Sequence, residues 1–204
     1  MMSRSMHGSR YPIDELAPET LLHAYRNGIF PMADPDDDWQ ISWYSPAKRG
    51  IFPLEDFHVP HDLARLVRQQ RFDVTVDQDF ETVVRCCADR DSTWISKEIV
   101  VAYTNLHRLG YAHSVECRQA GRLVGGLYGV AIGGVFFGES MFHHVRDASK
   151  VALVHLVERL RSGGFVLLDT QFVTPHLQRF GAIEVERNEY LCLLAEATAT
   201  DGKW

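Results

Sequence analysis

Two periods of apolar positions run along this chain, and the changes between them mark out its elements. In "APETLLHAYRNGIFPM", Leu21, Leu22 and Tyr25 recur at helical spacing, and Asn27-Gly28 supplies a stop. A polar, acidic break, "ADPDDDWQ", follows, and "ISWYSPAKRGIFPL" reads as two short extended pieces around a Ser45-Pro46 turn. "HDLARLVRQQ" is amphipathic with a helical period, and "RFDVTVD" alternates as a strand does. "DFETVVRCCAD" and "SKEIVVAYTNLHRLG" predict two helices, the second ended by Gly110. "AHSVECRQA", "GRLVGGLYGVAI" and "GVFFGESMF" predict three antiparallel strands, the last two joined at Gly133-Gly134. "SKVALVHLVERLRSGG" is the clearest helix, with Ser149 as expected cap, Leu153, Leu156, Val157 and Leu160 as one stripe, and Gly163-Gly164 as its end. "FVLLDTQF" predicts a strand and Thr174-Pro175 the start of a short helix. "AIEVERNEYLCLL" is expected to return as a strand with a break near Asn188.

This order predicts an α+β fold: a mixed, largely antiparallel sheet flanked by helices. The sequence of meander, helix, strand, helix and strand is that of a GNAT-like acyltransferase domain. The expected organisation is a small N-terminal lobe over residues 1–46 and a catalytic domain over residues 47–204, divided near Pro46.

Composition narrows the function classes. The chain has 204 residues, 46% hydrophobic and 24% charged, enough for one large domain or a domain with a small lobe. No apolar run reaches the roughly 18 residues of a membrane span, and "MMSRSMHGSRY" is polar and lacks the core of a signal peptide, so a cytoplasmic protein is expected. The net charge of −6 argues against a general nucleic-acid binder but leaves room for a local basic patch. Cys86, Cys87, Cys117 and Cys192 form no C-x-x-C pair, and the ten histidines form no H-E-x-x-H motif, so structural thiols and no metal are expected.

Two places carry polar groups where burial makes them costly. Asp169 and Gln171 stand two apart in an apolar strand; alternation would place them on one face, with Leu168, Thr170 and Phe172 on the other. Glu139 interrupts "FFGESMF" between Gly138 and Ser140. Backbone capping by the carboxylate and a solvated strand end account for the same residues. A pocket walled by Leu127, Phe136 and the Leu153/Leu156/Leu160 stripe would be apolar, as would a plain core.

Segments in order along the chain then shift the balance. "YRNGIFPM", "WYSPAKRG", "TWI", "AYTNLHRLGYAHSVE", "LVGGLYGVAIGGVFFGESMF", "ASKVALVHL" and "LLDTQFVTPHLQRFGA" closely resemble the leucyl/phenylalanyl-tRNA–protein transferase family from about Tyr11 to Leu194. The resemblance implies transfer of Leu or Phe, and Met by its unbranched shape, from Leu-tRNA or Phe-tRNA to proteins beginning with Arg or Lys. That product terminus marks a protein for N-end-rule degradation. No cofactor, acetyl-CoA or metal is implied, and a monomer is expected. Carried onto this sequence, Asp169, Gln171 and Glu139 are the catalytic group. Gln171 accepts a hydrogen bond from the incoming amine, because an amide oxygen is an acceptor and not a conventional base. Asp169 orients Gln171 and supplies negative potential, and Glu139 holds the cationic acceptor terminus. Leu127, Phe136, Leu153, Leu156, Leu160 and Leu168 match the aminoacyl pocket. Leucines stand at 156 and 160 where some relatives carry phenylalanine, which implies a roomier pocket. Trp94 matches an aromatic near the terminal adenosine, and Met32 stands where a second aromatic is common. Arg65 and Arg68, with Arg71 nearby, are the candidate contacts to the tRNA acceptor stem; a solvated helix face accounts for them equally. Two other readings remain: an acetyl-CoA-dependent N-acetyltransferase, although "FHHVRDAS" lacks the glycine-rich phosphate turn that this requires, and a non-catalytic adaptor for basic N-termini.

Overall fold

A computed structural model describes residues 15–204. The polar segment "MMSRSMHGSRY" lies outside the described residues. The chain begins with helix α1 (Pro18–Arg26) and a hairpin of β1 (Phe30–Asp34) and β2 (Gln40–Tyr44), which form their own two-stranded sheet. Strand β3 (Lys48–Phe52) is followed by α2 (His61–Arg68), β4 (Asp73–Val76), α3 (Phe80–Ala88) and α4 (Lys97–Arg108). The meander is β5 (Ala112–Gln119), β6 (Arg122–Ile132) and β7 (Val135–His143). Then come α5 (Ala148–Ser162), β8 (Leu167–Gln171), α6 (Pro175–Gln178), β9 (Ile183–Glu186) and α7 (Arg187–Ala199). The larger sheet has seven strands in the order β4-β5-β6-β7-β8-β3-β9. All neighbours are antiparallel except β7 and β8. This is the α+β arrangement that the pattern predicts, a mixed, largely antiparallel sheet with helices on both faces.

Each face of the sheet buries its own apolar cluster. On one side Val83, Ile99, Tyr103 and Leu106 of α3 and α4 meet Tyr25, Phe137 and Leu194. On the other, Val151, Leu153, Leu156, Val157 and Leu160 of α5 meet Leu127, Phe136 and Leu168. The close seating of α5 depends on Gly125, where a Cβ would come within 2.5 Å of that of Ala148.

Three local expectations are corrected. The chain enters α5 through Asp147 in a left-handed conformation, so Ser149 is the second helical residue, buried beside His143, and caps nothing. Residues 183–199 are not one broken strand. β9 ends at Glu186 and α7 follows, because Tyr190, Leu194 and Ala197 recur every three or four positions and bury together. Finally, Asp169 and Gln171 do not share a face by simple alternation. The pairing of β3 with β8 runs Gly50 to Gln171 and then Ile51 to Asp169, leaving Thr170 as an inserted residue. Gln171 itself has φ of +57°. A bulge re-aims the side chains that follow it.

Candidate active site

β7 and β8 pair in parallel only as far as Phe137 and Asp169. Beyond that point both strands carry an inserted residue. On β7 it is Glu139, because Tyr128 pairs with Ser140 while Gly129 pairs with Gly138. The strands thus stop bonding where their alternation breaks, and a cavity of about 300 Å3 opens there. The bulge explains why Gly138, Glu139, Ser140 and Met141 line one wall consecutively, which a regular strand cannot do. Gly129 permits it: a Cβ there would lie 2.2 Å from the Phe137 carbonyl oxygen.

The opposite wall holds Leu168, Thr170, Gln171 and Phe172. The Gln171 amide is best satisfied with Nε2 donating to the Gly138 carbonyl at 2.8 Å and to the Thr170 carbonyl at 3.1 Å. The reverse orientation offers only a 3.5 Å approach of Nε2 to Glu139 Oε1, too long for a good bond. Oriented by its two carbonyl partners, Gln171 turns its side-chain oxygen toward the Glu139 carboxyl, at about 3.5 Å.

Asp169 is fully buried and is not on the cavity wall. Its Oδ1 accepts from Arg49 Nε at 2.9 Å and from the Gln171 backbone N–H at 2.7 Å. Its Oδ2 accepts from Arg49 Nη2 at 2.7 Å and from the Tyr190 hydroxyl at 2.5 Å. An equally buried guanidinium pairs with the carboxylate, yet the negative charge of Asp169 still reaches Glu139, where it adds to burial in raising the pKa against the opposing effect of Arg49. What Asp169 does is hold the left-handed backbone of Gln171. Arg49 is only 1% exposed. Its Nη1 donates to the Gly28 carbonyl at 3.0 Å, and its guanidinium packs 4.6 Å from the Phe30 ring centre and 4.7 Å from that of Tyr190. Burial works against its charge, but Asp169 outweighs this and the guanidinium pKa is raised overall.

Glu139 sits between tyrosines of α1 and α4. Tyr25 donates to Oε1 at 2.7 Å and Tyr103 reaches Oε2 at 3.4 Å, while the two hydroxyls bond each other. Burial pushes the Glu139 carboxyl up to about 8, against the opposing pull of the Tyr25 hydrogen bond. The group is therefore largely protonated at neutral pH, and a cation placed beside it would draw the proton off.

The expected pocket residues divide. Leu127, Leu153, Leu156 and Leu168 line the cavity, with Phe52 and Leu177, while Phe136 and Leu160 do not. Phe136 stacks on Trp204 with ring centres 5.2 Å apart, and Leu160 is sealed in the α5 core, so the leucine at 160 does not enlarge the pocket. Met32 and Trp94 both line the cavity, from β1 and from the loop before α4. The two segments are joined by the Ala33 N–H donating to the Trp94 carbonyl at 3.1 Å. Arg65 and Arg68 are exposed on α2, away from the cavity lining, with no ion-pair partner among the described residues. Arg49, Tyr25, Tyr103, Tyr190 and Arg90 were not anticipated. The only sequence signals for them are an arginine opening an apolar strand in "KRGIF" and a tyrosine at helical spacing in "NEYLCLL".

Comparison with known proteins adds the following. Residues 51–195 match the family model described as leucyl/phenylalanyl-tRNA protein transferase, and residues 14–47 match that described as its N-terminal domain. Curated proteins named leucyl/phenylalanyl-tRNA–protein transferase are similar over most of their length. That of Salinibacter ruber is 53% identical, over 94% of this chain and 84% of its own. That of Cereibacter sphaeroides (strain ATCC 17025 / ATH 2.4.3) is 56% identical over 90% and 86%. That of Nitrobacter winogradskyi is 58% identical over 88% and 82%. Among solved structures, the crystal structure of FemX aligns with a TM-score of 0.54 at 11% identity, over 83% of this chain and 66% of that one, a likeness of fold alone.

Proposed function

This chain belongs to the leucyl/phenylalanyl-tRNA protein transferase family, and from that premise we propose that it moves Leu, Phe or Met from aminoacyl-tRNA to the N-terminal Arg or Lys of proteins, marking them for N-end-rule degradation. The observation that carries this reading is an apolar cavity with an amide oxygen and a proton-holding carboxyl on adjoining walls. The aminoacyl side chain enters among Leu127, Leu153, Leu156 and Leu168, where burying a Leu or Phe contributes roughly 1.5–3 kcal/mol. Branching at Cβ, as in Ile and Val, disfavours entry. Trp94 and Met32 take the terminal adenosine, one by stacking and the other by a softer apolar contact. Arg65 and Arg68 make a modest, salt-sensitive contact with the acceptor stem.

The donor ester is already activated, so catalysis is chiefly placement. The acceptor's α-amine attacks the ester carbonyl, an amide forms, and the bond to the ribose oxygen breaks. The proton lost by the amine is the one the leaving oxygen requires. Gln171 Oε1 accepts an N–H from the amine and fixes its approach. Glu139 ionises as the cationic terminus arrives and pairs with it. Asp169 acts through Gln171 and is a positioning residue, since both its oxygens are already taken.

Leu-tRNA incubated with a peptide beginning with Arg should yield peptide heavier by one leucine in a mass spectrum. Peptide retained without transfer would indicate an adaptor, and acetylation from acetyl-CoA an acetyltransferase. Gln171→Ala and Asp169→Ala should slow single-turnover transfer while donor binding changes little. Asp169→Asn, which leaves Arg49 a partial partner, separates slowed chemistry from loss of fold. Near-normal rates in these variants would remove both residues from the mechanism.

A further inference from the structure

The cavity mouth contains a cation that the mechanism above does not use. Arg90 follows α3 and is the one Lys or Arg on the cavity lining. Its Nε donates to the Cys87 carbonyl at 2.7 Å, and its Nη2 to Ser140 Oγ at 2.9 Å and the Met141 carbonyl at 3.2 Å. These neutral acceptors fix the guanidinium without cancelling its charge. Although Asp89 and Asp91 flank it in sequence, Arg90 has no ion-pair partner among the described residues. A planar, immobilised and un-neutralised fork is suited to a phosphate.

A second observation points to a polar ligand at the same wall. Tyr128 is buried, lines the cavity, and its hydroxyl has no hydrogen-bond partner. Burial above all, then Glu139, raises its pKa, so the hydroxyl keeps its proton and remains a donor. A buried donor without a partner is costly unless a ligand oxygen completes it. His176, the other basic residue on the lining, is held below its ordinary pKa by burial and by Lys150 and Arg179, so it is uncharged at neutral pH. Trp94 stands four residues beyond Arg90 on the same cavity.

We propose that Arg90 binds the phosphate on the 5′ side of the donor's terminal adenosine, making a phosphate subsite at the mouth of the cavity. The proposal rests on the transferase reading. It also divides the cavity by sign: Arg90 takes the anionic donor and repels a basic acceptor terminus, which Glu139 receives instead.

The test uses transfer from Leu-tRNA to an Arg-peptide, inhibited by two stable donor mimics. Both carry leucine in amide linkage at the 3′ position of adenosine, and only one has a 5′-phosphate. For the wild type the phosphate should lower the inhibition constant roughly tenfold, the scale of a charged hydrogen bond at an accessible site. Arg90→Ala should raise the phosphorylated mimic to the level of the plain one, with the plain one little changed; Arg90→Lys should keep part of the preference. Equal inhibition by the two mimics in the wild type, including none by either, overturns the subsite, as does a full phosphate preference in Arg90→Ala. If Arg90→Ala does not fold, Arg90→Gln decides the point in the same way. Absence of any transfer from Leu-tRNA by the wild type sinks the transferase reading itself, a result distinct from loss of the phosphate preference.

Discussion

Glu139 meets neutral pH with its proton on, and this single group makes folding stability depend on pH. In the unfolded chain the proton leaves near 4.5, whereas the folded protein holds it to about 8. Across that window the folded state binds more protons, so folding stability falls as pH rises through it and levels off above about 8. Glu139→Gln removes the titration. The variant's urea midpoint should therefore gain on the wild type as pH is raised from about 5 to about 8, and a constant difference would show that Glu139 has an ordinary pKa. The same substitution should raise KM for an Arg-peptide most above pH 8, where the wild-type carboxylate attracts the cation. Of the site's residues, Glu139, Asp169 and Gln171 were legible because each places a polar group in an apolar run. Their partners Tyr25, Tyr103, Tyr190 and Arg49 were not, since nothing local reveals which carboxylate a side chain on another element bonds; Tyr25 is 114 residues from Glu139 and Arg49 is 120 from Asp169.

At the scale of elements, the site is made by two inserted residues on neighbouring strands, Glu139 on β7 and Thr170 on β8. The meander and α5 were legible because glycines punctuate the ends of their apolar runs, at Gly121, Gly133-Gly134 and Gly163-Gly164. The bulges were not, because a period-two rule assigns every residue a face and has no symbol for an extra one. The same limit misled the reading of α7, whose apolar run is short and dense enough to pass for a strand. Gly129 is the residue opposite the first bulge, and Gly129→Ala tests how much the site depends on it. The added methyl would force the β6–β7 backbones apart, at a cost of about 1–3 kcal/mol. The denaturation midpoint should fall, and transfer should drop further than that loss explains, because Glu139 and Ser140 lose their aim. Wild-type transfer rates in a destabilised but folded Gly129→Ala protein would mean that the bulge is not what positions the wall.

For the molecule as a whole, the two sheets contribute unequally to one cavity. The seven-stranded sheet and its helices supply most of the lining, while the β1–β2 hairpin supplies Phe30 and Met32. On the proposed reading the hairpin supplies a contact to the nucleoside, and Met32 is where an aromatic would strengthen it. Met32→Trp should tighten a leucyl-adenosine mimic by up to about 1–3 kcal/mol through stacking, read as a lower dissociation constant with little change in single-turnover rate. Unchanged affinity would place the base elsewhere. The apolar cavity has one more consequence, and it concerns turnover. On the proposed reading it identifies the donor by a leucine or phenylalanine side chain, and the reaction passes that side chain to the acceptor without altering it. When the bond to ribose breaks, the tRNA loses its grip in the pocket, but the extended protein inherits it. The newly made terminus therefore competes with fresh donor for the same walls.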